Sequence, residues 1–422
     1  MINSSSPSTW HEVKLKDLTA KIGSGITPRG GSDVFVNDGV MFIRSQNVKN
    51  GKVDVTDKKF ITAAIDQQMS SSRVKKGDVL YNITGASIGR SAVYDIDDPA
   101  NVNQHVCIVR LKRDSPSFIN HVLTSDIGKR LLWSFQAGGN RQGLNFQQLG
   151  SFTFSIPDID EQLRIVAVLE TWDEYLDKLG EKIEIKKQIK KGLMQQLLTG
   201  KHRLSGFTDD WQVVEIGKMA VVIISNVDKH TSNDERPVYL CNYMDVYYND
   251  VIDSHENLSH GTVSPNEYNN FVLKKNDVVI TKDSETPIDI AKSCFISKDL
   301  DDVVCGYHLA IIRANPEKTN GFFMKKLLDL PAIQHYFFSL ANGATRFGIT
   351  KPSIQKACLS MPNIKEQDTI SSILKNVDLE IKSLAKKREV ILKQKHYLVS
   401  NLMSGKLRTE NLVIRGQETH HA

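Results

Sequence analysis

Apolar residues recur at heptad steps over two stretches far apart in the chain. In the later stretch Ile370, Leu374, Val377, Ile381, Leu384, Ile391, Leu398 and Leu402 keep to one stripe, with Arg388 and Lys395 standing where the spacing asks for an apolar side chain. In the earlier one Ile165, Leu169, Trp172, Leu176, Leu179, Ile183, Leu193 and Leu197 do the same. Such a narrow stripe predicts a long helix with a coiled-coil seam. One stripe alone is equally compatible with an amphipathic helix lying on its own domain, but two equivalent stripes can bury each other and remove both exposed faces. Ahead of each stripe the period changes. "GDVLYNI", "HVCIVRL", "NDVVITK" and "HLAIIRA" alternate or form short apolar blocks bounded by Gly, Asn and Asp, and predict strands with irregular loops. "INHVLTSDIGKRLLWSFQ" and "FFMKKLLDLPAIQHYFFSL" predict shorter helices, so each region ahead of a stripe reads as α+β.

The two halves are one pattern written twice. A shift of 205 carries Pro157 onto Pro362, Glu161-Gln162 onto Glu366-Gln367, Leu169 onto Leu374, Asp173 onto Asp378 and Gly200-Lys201 onto Gly405-Lys406 without a gap. "IPDIDEQ" opens one long helix and "MPNIKEQ" the other, with Pro ending the strand-like "FTFSI" or "CLSM" and an acidic residue opening the helix. "QQLLTGKHRL" and "SNLMSGKLRT" close them. Trp10 answers Trp211, His105 answers His308, Arg110 answers Arg313, and "GGNRQGLNFQQL" answers "GATRFGITKPSI". The expected organisation is a first globular domain over 1–156, a long helix over 157–203, a second globular domain over 204–361, a second helix over 362–406 and a tail over 407–422. The fold class is therefore α+β: two globular domains and two long coiled-coil helices, in a tandem duplication.

Composition narrows the class. With 422 residues, 40% of them hydrophobic, the chain is long enough for two or more cores. No segment reaches the roughly 18 uninterrupted apolar residues of a membrane span, and the N-terminal "MINSSSPSTW" lacks a basic stretch followed by an apolar run, so the expected location is the cytoplasm. Cys107, Cys241, Cys294, Cys305 and Cys358 show no CxxC spacing and leave an odd thiol, which suits free thiols in a reducing compartment. A formal net charge of +5 is a mild bias toward anionic partners.

Catalytic signatures are scarce. There is no GxxxxGK[ST] loop; "GASIGRS" at 85–91 has two glycines at the wrong spacing and no Lys, and reads as a turn. "HENLSH" at 255–260 misses the HExxH spacing by one residue and reads as a loop, and no GxSxG elbow occurs. His105 and His308 each precede an apolar strand, where a hydrogen-bonded structural histidine is commoner than a catalyst. The balance favours binding over chemistry.

The order of globular half, EQ-started helix, "LLTGKHRLSGFTDDW" junction with Phe207 and Trp211, second globular half, EQ-started helix and "LMSGKLR" ending resembles the specificity subunit of bacterial type I restriction–modification systems, over nearly the whole chain. The resemblance implies a non-catalytic subunit whose two target recognition domains each read one half of an asymmetric, bipartite site in double-stranded DNA. The two long helices would pack antiparallel, join the domains with pseudo-twofold symmetry, and act as spacer and as docking surface for two methyltransferase subunits, with restriction and translocase subunits joining the full complex. S-adenosylmethionine, ATP and Mg are then expected on those partner subunits, with no cofactor or metal on this chain and no membrane partner. A duplicated coiled-coil scaffold that binds no DNA is the alternative.

Base edges are read by Arg, Asn, Gln and similar side chains, and phosphates are held by Lys, Arg and hydroxyls. The polar loops with those residues are the candidate contacts. In the first domain they are Arg44, Ser45, Gln46 and Asn47; Thr84, Ser87 and Arg90; Asn103, Gln104 and His105; and Asn140, Arg141 and Gln142. In the second they are Asn242 and Tyr243; Lys282 and Ser284; Tyr307 and His308; and Thr345 and Arg346. Arg141 and Arg346 stand out because they recur inside Gly-flanked loops. The basic runs "KIEIKKQIKK" and "KKREVILKQK" are assigned first to the spacer and partner surface, with phosphate contact secondary.

Overall fold

A computed structural model describes residues 9–28, 30–136, 143–228 and 231–410. The chain divides into two compact units, one of residues 1–180 with 386–422, the other of residues 181–385. The long helices are therefore not separate bodies: each unit takes the first half of one helix and the last half of the other.

In the first unit, Thr19–Ser24, Val106–Leu111, Val79–Asn82 and Ser91–Val93 lie side by side as an antiparallel four-stranded sheet. A second sheet has the order Phe60–Ile61, Val40–Ile43, Ala100–Val102, Arg73–Val74, with the middle pair parallel. The second unit repeats both. Ala220–Ile224, Leu309–Ala314, Asp277–Thr281 and Ser293–Ile296 form the antiparallel sheet, here extended by Val251–Ile252 at its edge. Ser259–Val263, Arg236–Cys241 and Val303–Cys305 form the smaller sheet, again with one parallel pair. Each unit is closed by a two-stranded ribbon, His11–Lys14 with Thr153–Ile156 and Gln212–Glu215 with Cys358–Met361. The predicted shorter helices are each a pair: Pro116–Thr124 with Asp126–Gln136, and Gly321–Leu328 with Pro331–Leu340, where Pro331 takes the first position of a new helix.

Among the polar residues buried with the strands, one ion pair is repeated in both units. Arg110 donates from Nε and Nη2 to Asp78, both at 2.7 Å, and Arg313 does the same to Asp277 at 3.0 and 2.8 Å. Both carboxylates are 1% exposed, and burial raises the pKa of Asp277 against the opposing pull of Arg313. A buried carboxylate needs such a partner, which is why the Arg recurs one strand away in both halves.

The long helices run from Ile159 to Leu197 and from Ile364 to Met403. They start after Pro, and the caps are Asp158 and Asn363, whose side-chain oxygens accept from the backbone N–H of Glu161 and Glu366 at 2.8 and 3.0 Å. Each stops a few residues before a glycine with positive φ, Gly200 and Gly405, a backbone conformation that ends a helix at little cost only in glycine. Within each unit the two helix halves run antiparallel. In the first, Ile165, Val166 and Leu169 share a core with Leu402 and Met403; in the second, Leu197 and Leu198 share one with Ile370 and Leu374. Lys395, which interrupts the stripe, bonds Asp173 across the seam, and its counterpart Lys190 reaches Asp378 at 2.5 Å. Lys186 adds Glu380 at 2.7 Å. Three of the ten basic residues in the two runs, Lys186, Lys190 and Lys395, thus hold helix to helix.

The repeated EQ dipeptide has a distinct job for each residue. Gln162 accepts from Ser115 N–H at 3.0 Å and donates to Pro157 O and Asp114; Gln367 accepts from Asn320 N–H at 2.9 Å and donates to Pro362 O and Lys318 O. The glutamine stitches the helix start to the globular part. The glutamate is a clamp for the chain's repeated endings. Arg408 donates to both oxygens of Glu161 at 2.8 and 2.9 Å, and Arg203 to both oxygens of Glu366 at 2.9 and 2.8 Å. The Gly-Lys-x-Arg ending occurs twice because each unit needs one arginine to close it.

Four cysteines, Cys107, Cys241, Cys294 and Cys305, are buried free thiols whose burial pushes their pKa up; Cys358 is free and exposed. No described helix is long and apolar enough to cross a membrane.

Candidate nucleic-acid interface

Beyond the end of the central strand Val79–Asn82 the backbone turns through Ile83 and Thr84, and in the second unit Asp277–Thr281 turns through Lys282 and Asp283. Ile83 N–H donates to His105 O at 3.0 Å, and Lys282 N–H donates to His308 O at 2.8 Å. On the other side Leu144 N–H donates to Ile83 O at 2.8 Å, and Ile349 N–H to Lys282 O at 3.1 Å. Thr84 bridges Gly143, and Asp283 pairs with Gly348. Three loops separated in sequence therefore meet at one place in each unit, and they are loops that sequence reading singled out.

In the first unit Thr84 Oγ1 lies 2.5 Å from His105 Nδ1. Gln104 accepts from the Thr27 hydroxyl. Asn82, a buried residue that loop polarity does not reveal, donates to Ser45 O at 2.8 Å and to Ser87 Oγ at 3.1 Å, tying two candidate loops together. Arg44 and Gln46 both donate to Asp57 Oδ2, at 2.7 and 3.0 Å, and the Arg44 bond holds the Asp57 carboxyl below the usual range. Asn47 accepts from Arg44 N–H and donates to Asp54 O and Asp57 O, and Asn103 accepts from His105 N–H; both are 7% exposed and act as loop braces. Arg90 is half-buried, and its guanidinium has no hydrogen bond to a described residue. Asn140, Arg141 and Gln142 lie outside the described residues, immediately before Gly143.

In the second unit His308 Nδ1 stands 3.1 Å from Asp283 Oδ2, which also accepts from Lys282 Nζ. Tyr307, 48% exposed, packs its ring on His308 with centroids 3.9 Å apart. Tyr243 OH and Ser284 Oγ are 3.0 Å apart, and Asn242 donates to Ser259 Oγ at 2.6 Å. Thr345 and Arg346 are exposed, and the Arg346 guanidinium is without an ion pair or hydrogen bond among the described residues. Asp283, which is acidic, and Asn82, which is buried at the end of a strand, are the residues that a search for basic and amide side chains in polar loops passes over. The alignment of the repeats is the signal that finds Asp283, because it falls opposite Thr84. Of the HExxH-like stretch, His255 lies in a loop and stacks on Tyr239 at 4.3 Å, whereas His260 lies on the strand Ser259–Val263 and not in the expected loop, tilted against the same ring at 4.9 Å; the described residues contain no cluster of His, Cys, Asp or Glu able to hold a metal ion.

Two like units, each ending in polar loops gathered around a histidine and each built on a shared helix pair, define a duplicated recognition module. The profile of the type I restriction modification DNA specificity domain matches twice, over residues 7–193 and 208–393, and the chain belongs to that family. Over 96% of its length it is 25% identical to a Methanocaldococcus jannaschii protein described as the MjaX type I restriction enzyme specificity subunit, 95% of which is covered. Over 42% of its length it is 27% identical to the EcoBI type I restriction enzyme specificity subunit of Escherichia coli, of which 38% is covered. Among solved structures, the type I restriction–modification S subunit of M. genitalium superposes with a TM-score of 0.57 at 12% identity, covering 95% of this chain and 97% of that one. The HsdS subunit of Thermoanaerobacter tengcongensis does so with 0.51 at 17% identity, covering 95% and 98%. These likenesses show the fold.

Proposed function

We propose that the chain is the non-catalytic DNA-reading subunit of a type I restriction–modification complex, and that each unit's loop cluster reads one half of an asymmetric, bipartite site in double-stranded DNA. The observation that carries this is the repetition of one loop framework with different side chains at its tip: Thr84 and His105 in one unit, Asp283, Lys282, His308 and Tyr307 in the other. A shared frame with unlike tips suits two readers of unlike sequence. The contacts are drawn from the candidate residues, with Arg346 and Arg90 foremost because their guanidinium groups are unspent. Helices of 39 and 40 residues extend about 60 Å at 1.5 Å per residue, more than one turn of duplex, about 34–36 Å, and serve as spacer and as docking surface for two methyltransferase subunits. S-adenosylmethionine, ATP and Mg belong to the methyltransferase and restriction subunits, and the target adenine leaves the stack to be modified there. Co-expression with a type I methyltransferase subunit tests the reading. The two should co-purify and methylate plasmid DNA only when this chain is present; a chain that neither binds the partner nor alters methylation refutes it.

A further inference from the structure

The two histidines are held in the same place by groups of different hydrogen-bonding sign. A carboxylate only accepts, so the contact between His308 Nδ1 and Asp283 Oδ2 at 3.1 Å requires the proton on Nδ1. A neutral imidazole has one such proton, and its Nε2 is then an acceptor. Lys282 Nζ bonds the same Oδ2 and fixes the orientation of the carboxylate. In the first unit the partner is the Thr84 hydroxyl, which both donates and accepts, so His105 is free to present either sign at Nε2. Among the described residues neither Nε2 has a hydrogen-bond partner. His308 has a second distinction: its φ is +70°, a left-handed conformation that non-glycine residues seldom adopt and that concentrates at functional sites. His105 is not among the residues with positive φ.

We infer that the residue at position 84 or 283 sets the hydrogen-bond polarity of the adjoining histidine, and that His308 is a specificity-determining residue for a base-edge amino group, cytosine N4 or adenine N6. This rests on the proposed reading that these loops face DNA. In the major groove those two amino groups are the donors, while guanine O6 and N7, adenine N7 and thymine O4 are acceptors. An Nε2 locked as acceptor selects the first set. An Nε2 of either sign selects neither, so position 105 discriminates less than position 308. Asp283 is a positioning residue acting through His308.

The test is sequence selection from a randomised duplex pool by the full-length chain in complex with its methyltransferase partner, at pH 8, where an ordinary imidazole is neutral. The wild-type complex should restrict one position of one half-site to a base displaying an amino donor. Asp283→Thr, which installs the first unit's residue, should reduce discrimination at that position by about tenfold or more while every other position keeps its preference. His308→Asn, whose side chain tolerates the left-handed backbone, should lose preference at the same position and guards against a folding failure of the first variant. A profile unchanged in both variants, or a loss spread evenly over all positions, overturns the inference. A wild-type complex that selects no sequence overturns the DNA reading itself, and this inference with it.

Discussion

Replacing Arg408 with Met isolates the clamp that closes the first unit. Glu161 is 1% exposed and accepts from Arg408 Nε and Nη2 at 2.8 and 2.9 Å and from Trp10 Nε1 at 3.3 Å. Arg408→Met leaves a buried carboxylate with one neutral donor. Breaking one side of a buried pair costs about 3–5 kcal/mol, and because the Arg408 side chain is 27% exposed, water offsets part of this, leaving about 3 kcal/mol. At roughly 2–4 °C per kcal/mol for a domain of this size, thermal unfolding should shift down by about 6–12 °C. Glu161→Gln added to Arg408→Met removes the orphaned charge and keeps an acceptor for Trp10, so the double variant should recover most of the loss, to within about 1 kcal/mol of wild type. Arg203→Met should act alike on Glu366. The reasoning is refuted if Arg408→Met melts within about 1 °C of wild type, or if Glu161→Gln fails to rescue it.

His121 is held neutral, its pKa lowered to about 4 by burial and by the adjacent Lys395, with Asp173 opposing. Because the folded value lies below the unfolded one, near 6.5, the stability it contributes is complete above that value and is lost as pH falls toward 4. The loss amounts to about 2–3 kcal/mol after discounting partial exposure. His121→Asn should therefore flatten the pH dependence of the urea midpoint in that window, and parallel curves would contradict this. Gly348→Ala would place a Cβ 2.6 Å from Asp283 Oδ1, whereas Gly143→Ala meets Thr84 Cγ2 at an ordinary 3.6 Å. Binding assays should show a weakened DNA affinity for the first variant and near wild-type affinity for the second. Cys358 should react alone with a thiol reagent in the native protein, the four buried cysteines only on unfolding, as read by mass spectrometry.

The long helices were legible because their signal is local. Heptad spacing, Pro before the start and Gly after the end are each contained in a few residues, and the caps Asp158 and Asn363 sit where such signals point. The split of each predicted shorter helix was half visible, in Pro331, and half not, since Ser125 ends its helix without a strong breaker. The doubled Gly-Lys-x-Arg ending was visible as a repeat, but its partner Glu161 is 247 residues from Arg408, and no period of the chain announces such a contact. Side-chain type alone did not separate tip from brace in the candidate loops. Asn47 and Asn103 have the chemistry of base readers and spend it on backbone groups. Asp283 has the wrong sign for a phosphate contact, so only its place opposite Thr84 discloses it. In the basic runs, assigned to spacer and partner surface, Lys186, Lys190 and Lys395 are paired across the helix seam, and the individual acidic partners were not legible because they lie on the other helix.

Methylome sequencing of cells with and without the gene tests the central claim most directly. The account predicts one methylated motif that depends on the gene, made of two unlike half-sites separated by a run of unspecified bases. A continuous or palindromic motif, or a methylome that does not change on deletion, would contradict it.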